Sequence, residues 1–143
     1  MALVALSACC NKEQSFDYTV DKFYDLEILR YQVPEFDSLS LQQKTLVFHL
    51  TEAALHGRDI LFDQNGRYNL RIRRALEALY TQYKGDKTSA EFISFEKYLK
   101  RVWFANGIHH HYASDKFRAE FSQEWVVAAC AAAGVTYDEA ILP

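Results

Sequence analysis

"TSAEFISFEKYLKRVWFANG", residues 88–107, is the stretch on which the fold class turns. Phe92, Phe95, Leu99, Val102 and Trp103 recur at intervals of three and four, one stripe of a 3.6-residue helix with charged residues between them. Thr88, followed three residues later by Glu91, has the form of a capping box, and Asn106-Gly107 ends the pattern. A stripe of this composition is read as core in preference to a ligand-binding box.

Just beyond it lies "NGIHHHYASDKF", Asn106 to Phe117. Three adjacent histidines invite the idea of a metal site, but neighbouring side chains diverge in either a helix or an extended chain. Known zinc ligands sit three or four apart on a helix, or two to four apart in a knuckle. His109, His110 and His111 have no such spacing alone, so they are read as a polar loop, with no metal ligand and no catalytic residue assigned. Further on, Ser122 to Ala133 is a helix ended by Gly134, and "VTYDEAILP" after it has no evident structural purpose.

Working towards the N-terminus, Leu76, Leu79, Tyr80 and Tyr83 predict a helix over residues 70–83, with Gly85 as its terminal glycine. Its "RIRR", Arg71 to Arg74, is read as a solvated face with local ion pairs, helped by Glu77. "FDQNGRYN", residues 62–69, carries an Asn-Gly turn signal and is expected to be a loop. Before it, Ser40 and Gln43 form a capping box that opens a helix whose face is Leu41, Leu46, Val47, Leu50, Ala53 and Ala54, expected to be buried. His49 and His56, seven apart, share a face and are read as partly buried structural histidines. Residues 16–31 are read as a helix through Val20, Phe23 and Tyr24, with an extended alternative for residues 28–33 before Pro34.

The class is therefore mainly α, four or five helices with short connections, and short strands stay open near 28–33 and 108–112. At 143 residues, 50% hydrophobic and 15% aromatic, the chain can fill one core. A net charge of −3 offers no global positive field, so no nucleic-acid partner is expected. Three cysteines make no disulfide framework. Leu6-Ser7-Ala8-Cys9 resembles a lipobox, with Cys9 as the lipidated residue and "NKEQS" as a tether, although a basic leader and a long apolar core are missing. No apolar run reaches the roughly 18 residues of a spanning helix. Membrane association is expected only through a lipid anchor: a cell-envelope location if the true start lies upstream, otherwise a cytoplasmic one.

Self-contained chemistry is missing. There is no Gly-rich phosphate loop, no Cys-x-x-Cys, no Gly-x-Ser-x-Gly and no His-Glu-x-x-His among the five histidines. Longer words are more informative: "GRDILFDQN" (57–65), "YNLRIRR" (68–74), "YKGDKT" (83–88) and "WFANGIHHHY" (103–112). With the sequence around them, from about Phe16 to Phe121, they resemble the N-terminal region of bacterial dipeptidyl peptidase III, a family of zinc metallopeptidases.

The resemblance implies the helical N-terminal part of a larger two-lobed enzyme that releases dipeptides from the N-terminus of oligopeptides. Together with the lipobox-like start, it divides the chain into a truncated lipoprotein signal and tether (1–15), a helical region (16–121) and a helix with a divergent or truncated tail (122–143). Zinc in such enzymes is held by His-Glu-x-x-x-His and a later glutamate, and the first glutamate activates the metal-bound water. Nothing in this chain matches those motifs, so no cofactor is assigned to it and it is expected to be inactive alone. The resemblance places residues 106–112 in the lobe opposite the zinc motif, which makes Asn106, His109, His110, His111 and Tyr112 the candidates for a substrate cleft. The competing reading is a free-standing helical lipoprotein domain that binds a peptide or a protein. On the fragment reading, the face of Phe92, Phe95, Leu99 and Trp103 is expected to lie partly uncovered.

Overall fold

A computed structural model describes residues 16–138. Cys9, its neighbour Cys10 and the end of the tail lie outside the described residues. The chain divides into two compact units at Gln32/Val33.

The first unit is an antiparallel hairpin, β1 (Thr19–Phe23) and β2 (Leu26–Leu29), pairing Phe23 with Leu26, Lys22 with Glu27 and Asp21 with Ile28. The helix expected over residues 16–31 is thus replaced by strands, and the extended alternative near Ile28 is realised in part. Asp21, Phe23, Leu26 and Ile28 point to the less exposed side, so the period that matters is two. Cross-strand chemistry reinforces the register: Lys22 pairs with Glu27 at 3.1 Å, and the Thr19 hydroxyl donates to Glu27 at 2.7 Å. Those contacts, the hydroxyl first, hold the Glu27 carboxyl below its ordinary range. Tyr24 sits in the two-residue connection at φ 52, a left-handed conformation unusual for an aromatic residue.

The second unit carries a 3-10 turn (Pro34–Ser38) and five helices: α1 (Leu41–His56), α2 (Arg58–Asn65), α3 (Asn69–Gln82), α4 (Ala90–Ala105) and α5 (Gln123–Ala133). The described residues are mainly helical, with one short two-stranded sheet. Both halves of the Ser40/Gln43 capping box form, at 2.9 and 3.3 Å. Gly57 closes α1 and begins α2 at once, so the expected loop over 62–69 shrinks to residues 66–68. A turn signal in Asn65-Gly66 marked the break correctly, but the helix before it runs up to the asparagine.

The start of α4 also differs from expectation. Asp86 accepts from both the amide and the hydroxyl of Thr88, at 2.8 and 2.6 Å, so Ser89 becomes the cap and accepts from Phe92 N at 3.3 Å. Those two bonds hold the Asp86 carboxyl below its ordinary range, the hydroxyl contributing most. Glu91, left free of a capping box, accepts instead from the amide and hydroxyl of Ser122 at 3.0 and 2.9 Å, tying the starts of α4 and α5 together. At the end of α3 the chain turns extended at Tyr83, without using Gly85 as a left-handed cap. Asn106 (φ 54) and Gly134 (φ 68) do end α4 and α5 in the left-handed region.

The core is filled from α2 to α5 and the segment after α4: Phe62, Ile72, Leu76, Leu79, Phe92, Phe95, Tyr98, Leu99, Val102, Phe117, Phe121, Val126 and Cys130. Phe92 stacks on Tyr83 at 4.9 Å, while Phe95 meets Phe121 and Trp125 edge-on or tilted at 5.7 and 5.6 Å. Phe92, Phe95 and Leu99 are therefore covered within this unit, against the expectation of an open face, and only Trp103 of that set is exposed. Tyr98 is enclosed so fully that burial pushes its phenol up to about 12. The tail is not purposeless: Val135 N donates to the Cys130 carbonyl at 2.9 Å, Tyr137 packs against the core, and Asp138 pairs with Arg71 at 3.0 Å.

By contrast α1 buries no residue. Leu46, Leu50 and Ala53 lie along one side, and Leu41, Phe48 and Leu55, spaced by seven, lie along the other. Leu41 is 81% exposed, and Phe48 and Leu50 are 60% exposed each. The buried face expected for this helix is thus open, and His49 and His56 are exposed with it.

Candidate functional site

The histidine run is built by a small antiparallel loop. Phe117 N donates to the Ile108 carbonyl and His110 N to the Asp115 carbonyl, each at 2.8 Å, and His109 bridges to Lys116. This is a single bridge in the region where a short strand stayed open. Ala113 N closes the tip on the His110 carbonyl at 3.1 Å. Within the loop the Tyr112 amide donates to His110 Nδ1 at 3.2 Å. The ring of His110 stacks on His111 at 4.4 Å, and His111 lies edge-on to Phe104 at 5.0 Å.

Facing the loop is the junction of α2 and α3. Asn69, buried although polar, accepts from Ile108 N at 3.4 Å, and Asn65 Nδ2 reaches the Asn106 carbonyl at 3.4 Å. The Asn69 amide lies between Gly66 and Gly107. A Cβ at Gly66 would come within 2.9 Å of its nitrogen, and one at Gly107 would collide with it. These glycines are where they are because backbone must approach a side chain closely.

Between loop and junction opens a concavity of about 360 Å³ lined by Asn65, Asn69, Gly107, the three histidines and Ser114, with Ala105 and Ala113. The volume lies in the range of small-ligand sites. Of the five residues singled out from sequence, His109, His110 and His111 come together here. Asn106 caps α4 and lines a separate concavity of about 300 Å³ with Arg58, Phe62, Arg73, Glu77 and Trp103. Tyr112 is 89% exposed and lies outside both. Asn65 and Asn69 were missed; their signal was present, two asparagines flanking Gly66, but it was read only as a turn.

The second concavity is bordered by an ionic staple. Arg73 is buried, against the expectation of a solvated "RIRR" face: its Nη2 bonds Asp59 at 2.6 Å, its Nε lies 3.3 Å from Glu77, and its guanidinium covers the Phe62 ring at 4.7 Å. Arg74 takes the other Asp59 oxygen at 2.8 Å, and Trp103 Nε1 donates to Glu77 at 2.9 Å. Arg74 and then Arg73 hold the Asp59 carboxyl below the usual carboxylate range. The assembly links α2, α3 and α4, and its cations are paired with acids of the same chain.

Among the described residues no three histidine, cysteine, aspartate or glutamate side chains are grouped to hold an ion, and the ligand set of a catalytic zinc does not fit what is present. No described helix is long and apolar enough to cross a membrane. No protein-family model matches the chain, and no curated protein is recognisably similar to it.

Proposed function

We propose that this chain is the N-terminal part of a zinc-dependent exopeptidase similar to dipeptidyl peptidase III, which removes dipeptides from oligopeptides, and that it hydrolyses nothing alone. The observation that carries the reading is α1. A helix apolar on opposite sides is the kind found inside a larger protein, and here Leu41, Phe48 and Leu55 on one side and Leu46 and Leu50 on the other are exposed together. Further chain packed around α1 would bury them. The words that resemble bacterial dipeptidyl peptidase III, at residues 57–65, 68–74, 83–88 and 103–112, follow this helix directly. On this reading the loop of His109 to His111 borders the peptide cleft, zinc and its general base come from later sequence, and lipidation at Cys9 anchors the protein in the cell envelope.

The test is the DNA downstream of the coding sequence. A frame that continues, directly or after a shift, into His-Glu-x-x-x-His and a later glutamate supports the proposal; an unrelated gene there removes it. Turnover of dipeptidyl arylamides by the purified chain, abolished by a chelator, would overturn the part that concerns inactivity. A second reading, a free-standing domain that binds a peptide or protein, is favoured by a different observation: α2 to α5 close an aromatic core without outside help.

A further inference from the structure

The concavity at the histidine loop has a chemistry of its own, independent of whether a peptidase follows. No aspartate or glutamate is among its nine lining residues, whose polar side chains are three imidazoles, two amides and one hydroxyl. Two of these groups are oriented by the fold. His110 Nδ1 accepts the Tyr112 amide, so in the neutral ring the proton sits on Nε2 and that nitrogen is a donor. Asn69 uses its oxygen to accept from Ile108 N, and its NH₂ is packed between Gly66 and Gly107 at the border of the concavity. His110 also borders a neighbouring concavity in which Arg101, Lys116 and Arg118 outnumber Asp115 and Glu120. An oriented imidazole donor in a lining without a carboxylate, next to a cationic margin, favours an anionic acceptor over a cation or an amine.

We propose that this concavity, between the α2–α3 junction and the loop of residues 108–117, is a binding site for a small organic carboxylate, with His110 as its principal donor. Two sources share that chemistry, a free acid and the C-terminus of a short peptide, and both fit a volume of about 360 Å³.

The test titrates the full chain at pH 7 with succinate, triglycine and triglycine amide, following the imidazole resonances of His109 to His111. At least one of the two acids is expected to bind saturably, with triglycine amide at least tenfold weaker than triglycine if the peptide terminus is the ligand. Succinate binding alone assigns the site to a free acid. His110→Phe keeps an aromatic ring against His111 and removes the donor, and is expected to weaken binding tenfold or more. Ser114→Asp, at an exposed loop position, sets a carboxylate against the ligand and is expected to abolish binding; it decides the matter if the His110 variant fails to fold. Absence of binding by both acids, equal binding of triglycine and its amide without succinate binding, or full binding by Ser114→Asp would overturn the proposal.

Discussion

Helices α1 and α4 are each 16 residues long, each begins on a serine cap, and each carries apolar residues at helical spacing. One is the centre of the core and the other buries nothing. Six residues of α4, from Phe92 to Ala105, are buried against α3, α5 and the segment carrying Phe117 and Phe121. The α1 helix has eight apolar residues to the ten of α4, but distributes them on opposite sides, where no described element covers them. Local signals make a helix; only a partner makes a buried face. The contrast explains why a cap and a hydrophobic pattern were sufficient to place both helices and insufficient to say which of them is core.

The largest test of this contrast is a pair of truncations. Phe95→Ala removes a fully buried ring in contact with Phe121 and Trp125, and is expected to cost about 3–5 kcal/mol in denaturant unfolding. Phe48→Ala on α1 should change global stability by no more than about 0.5 kcal/mol, as for other exposed substitutions. A loss of several kcal/mol from Phe48→Ala would mean that α1 is covered in solution, and the comparison would fail.

Removal of the Arg73 side chain comes next. Arg73→Ala takes away the ion pairs to Asp59 and Glu77 and the cover over Phe62, and should cost about 2 kcal/mol, the scale of hydrogen bonds to charged groups. Arg74→Ala, at an exposed position, should cost under about 1 kcal/mol. Asp59 adds a pH dependence. Because its folded carboxyl titrates below the unfolded value of about 3.9, its stabilisation is present above that pH and disappears as pH falls through the folded value. Asp59→Asn should therefore flatten the acid limb below about pH 4 while leaving the neutral limb in shape. An acid limb identical to that of the parent protein would show that the staple is not formed.

Capping separates the helices most finely. Ser89→Ala and Ser40→Ala each remove a side-chain acceptor for a first-turn amide, worth about 1 kcal/mol. For α4 the loss should appear in the global unfolding midpoint. For α1 it should appear only as faster amide exchange within residues 41–56, since opening of that helix exposes no core. Equal effects on the midpoint would show that α1 unfolds together with the rest. A hydrophobic dye that binds the parent protein and is released by Leu50→Glu would sharpen the same point by locating the apolar surface on α1.

Much was legible from residue order because it depends on neighbours a few positions away. The Ser40 cap, the Asn106 and Gly134 ends, the span of α3 and the apolar stripe of α4 all follow from backbone geometry and side-chain reach within one turn. Where a competing local partner intervened the reading slipped by a residue, as when Asp86 captured Thr88 and passed the cap to Ser89. The hairpin at residues 19–29 was misread because Val20, Phe23 and Tyr24 satisfy a helical period as well as they fit strands, and the cross-strand pairs that favour strands join residues three to ten apart. At the histidine loop the sequence marked the three rings but not Asn65 and Asn69, about 40 positions away.

By itself, then, residue order determined that this is a mainly helical protein and where most of its helices start and stop. Only the tertiary structure decided that Arg73 is buried while Leu41 and Phe48 are not, that Glu91 serves α5, and that two asparagines from a helix junction join three histidines around one concavity. The physical reason is reach. Propensity, capping and turns act over one helical turn, whereas burial and donor convergence depend on which distant segments are available to fill the same space.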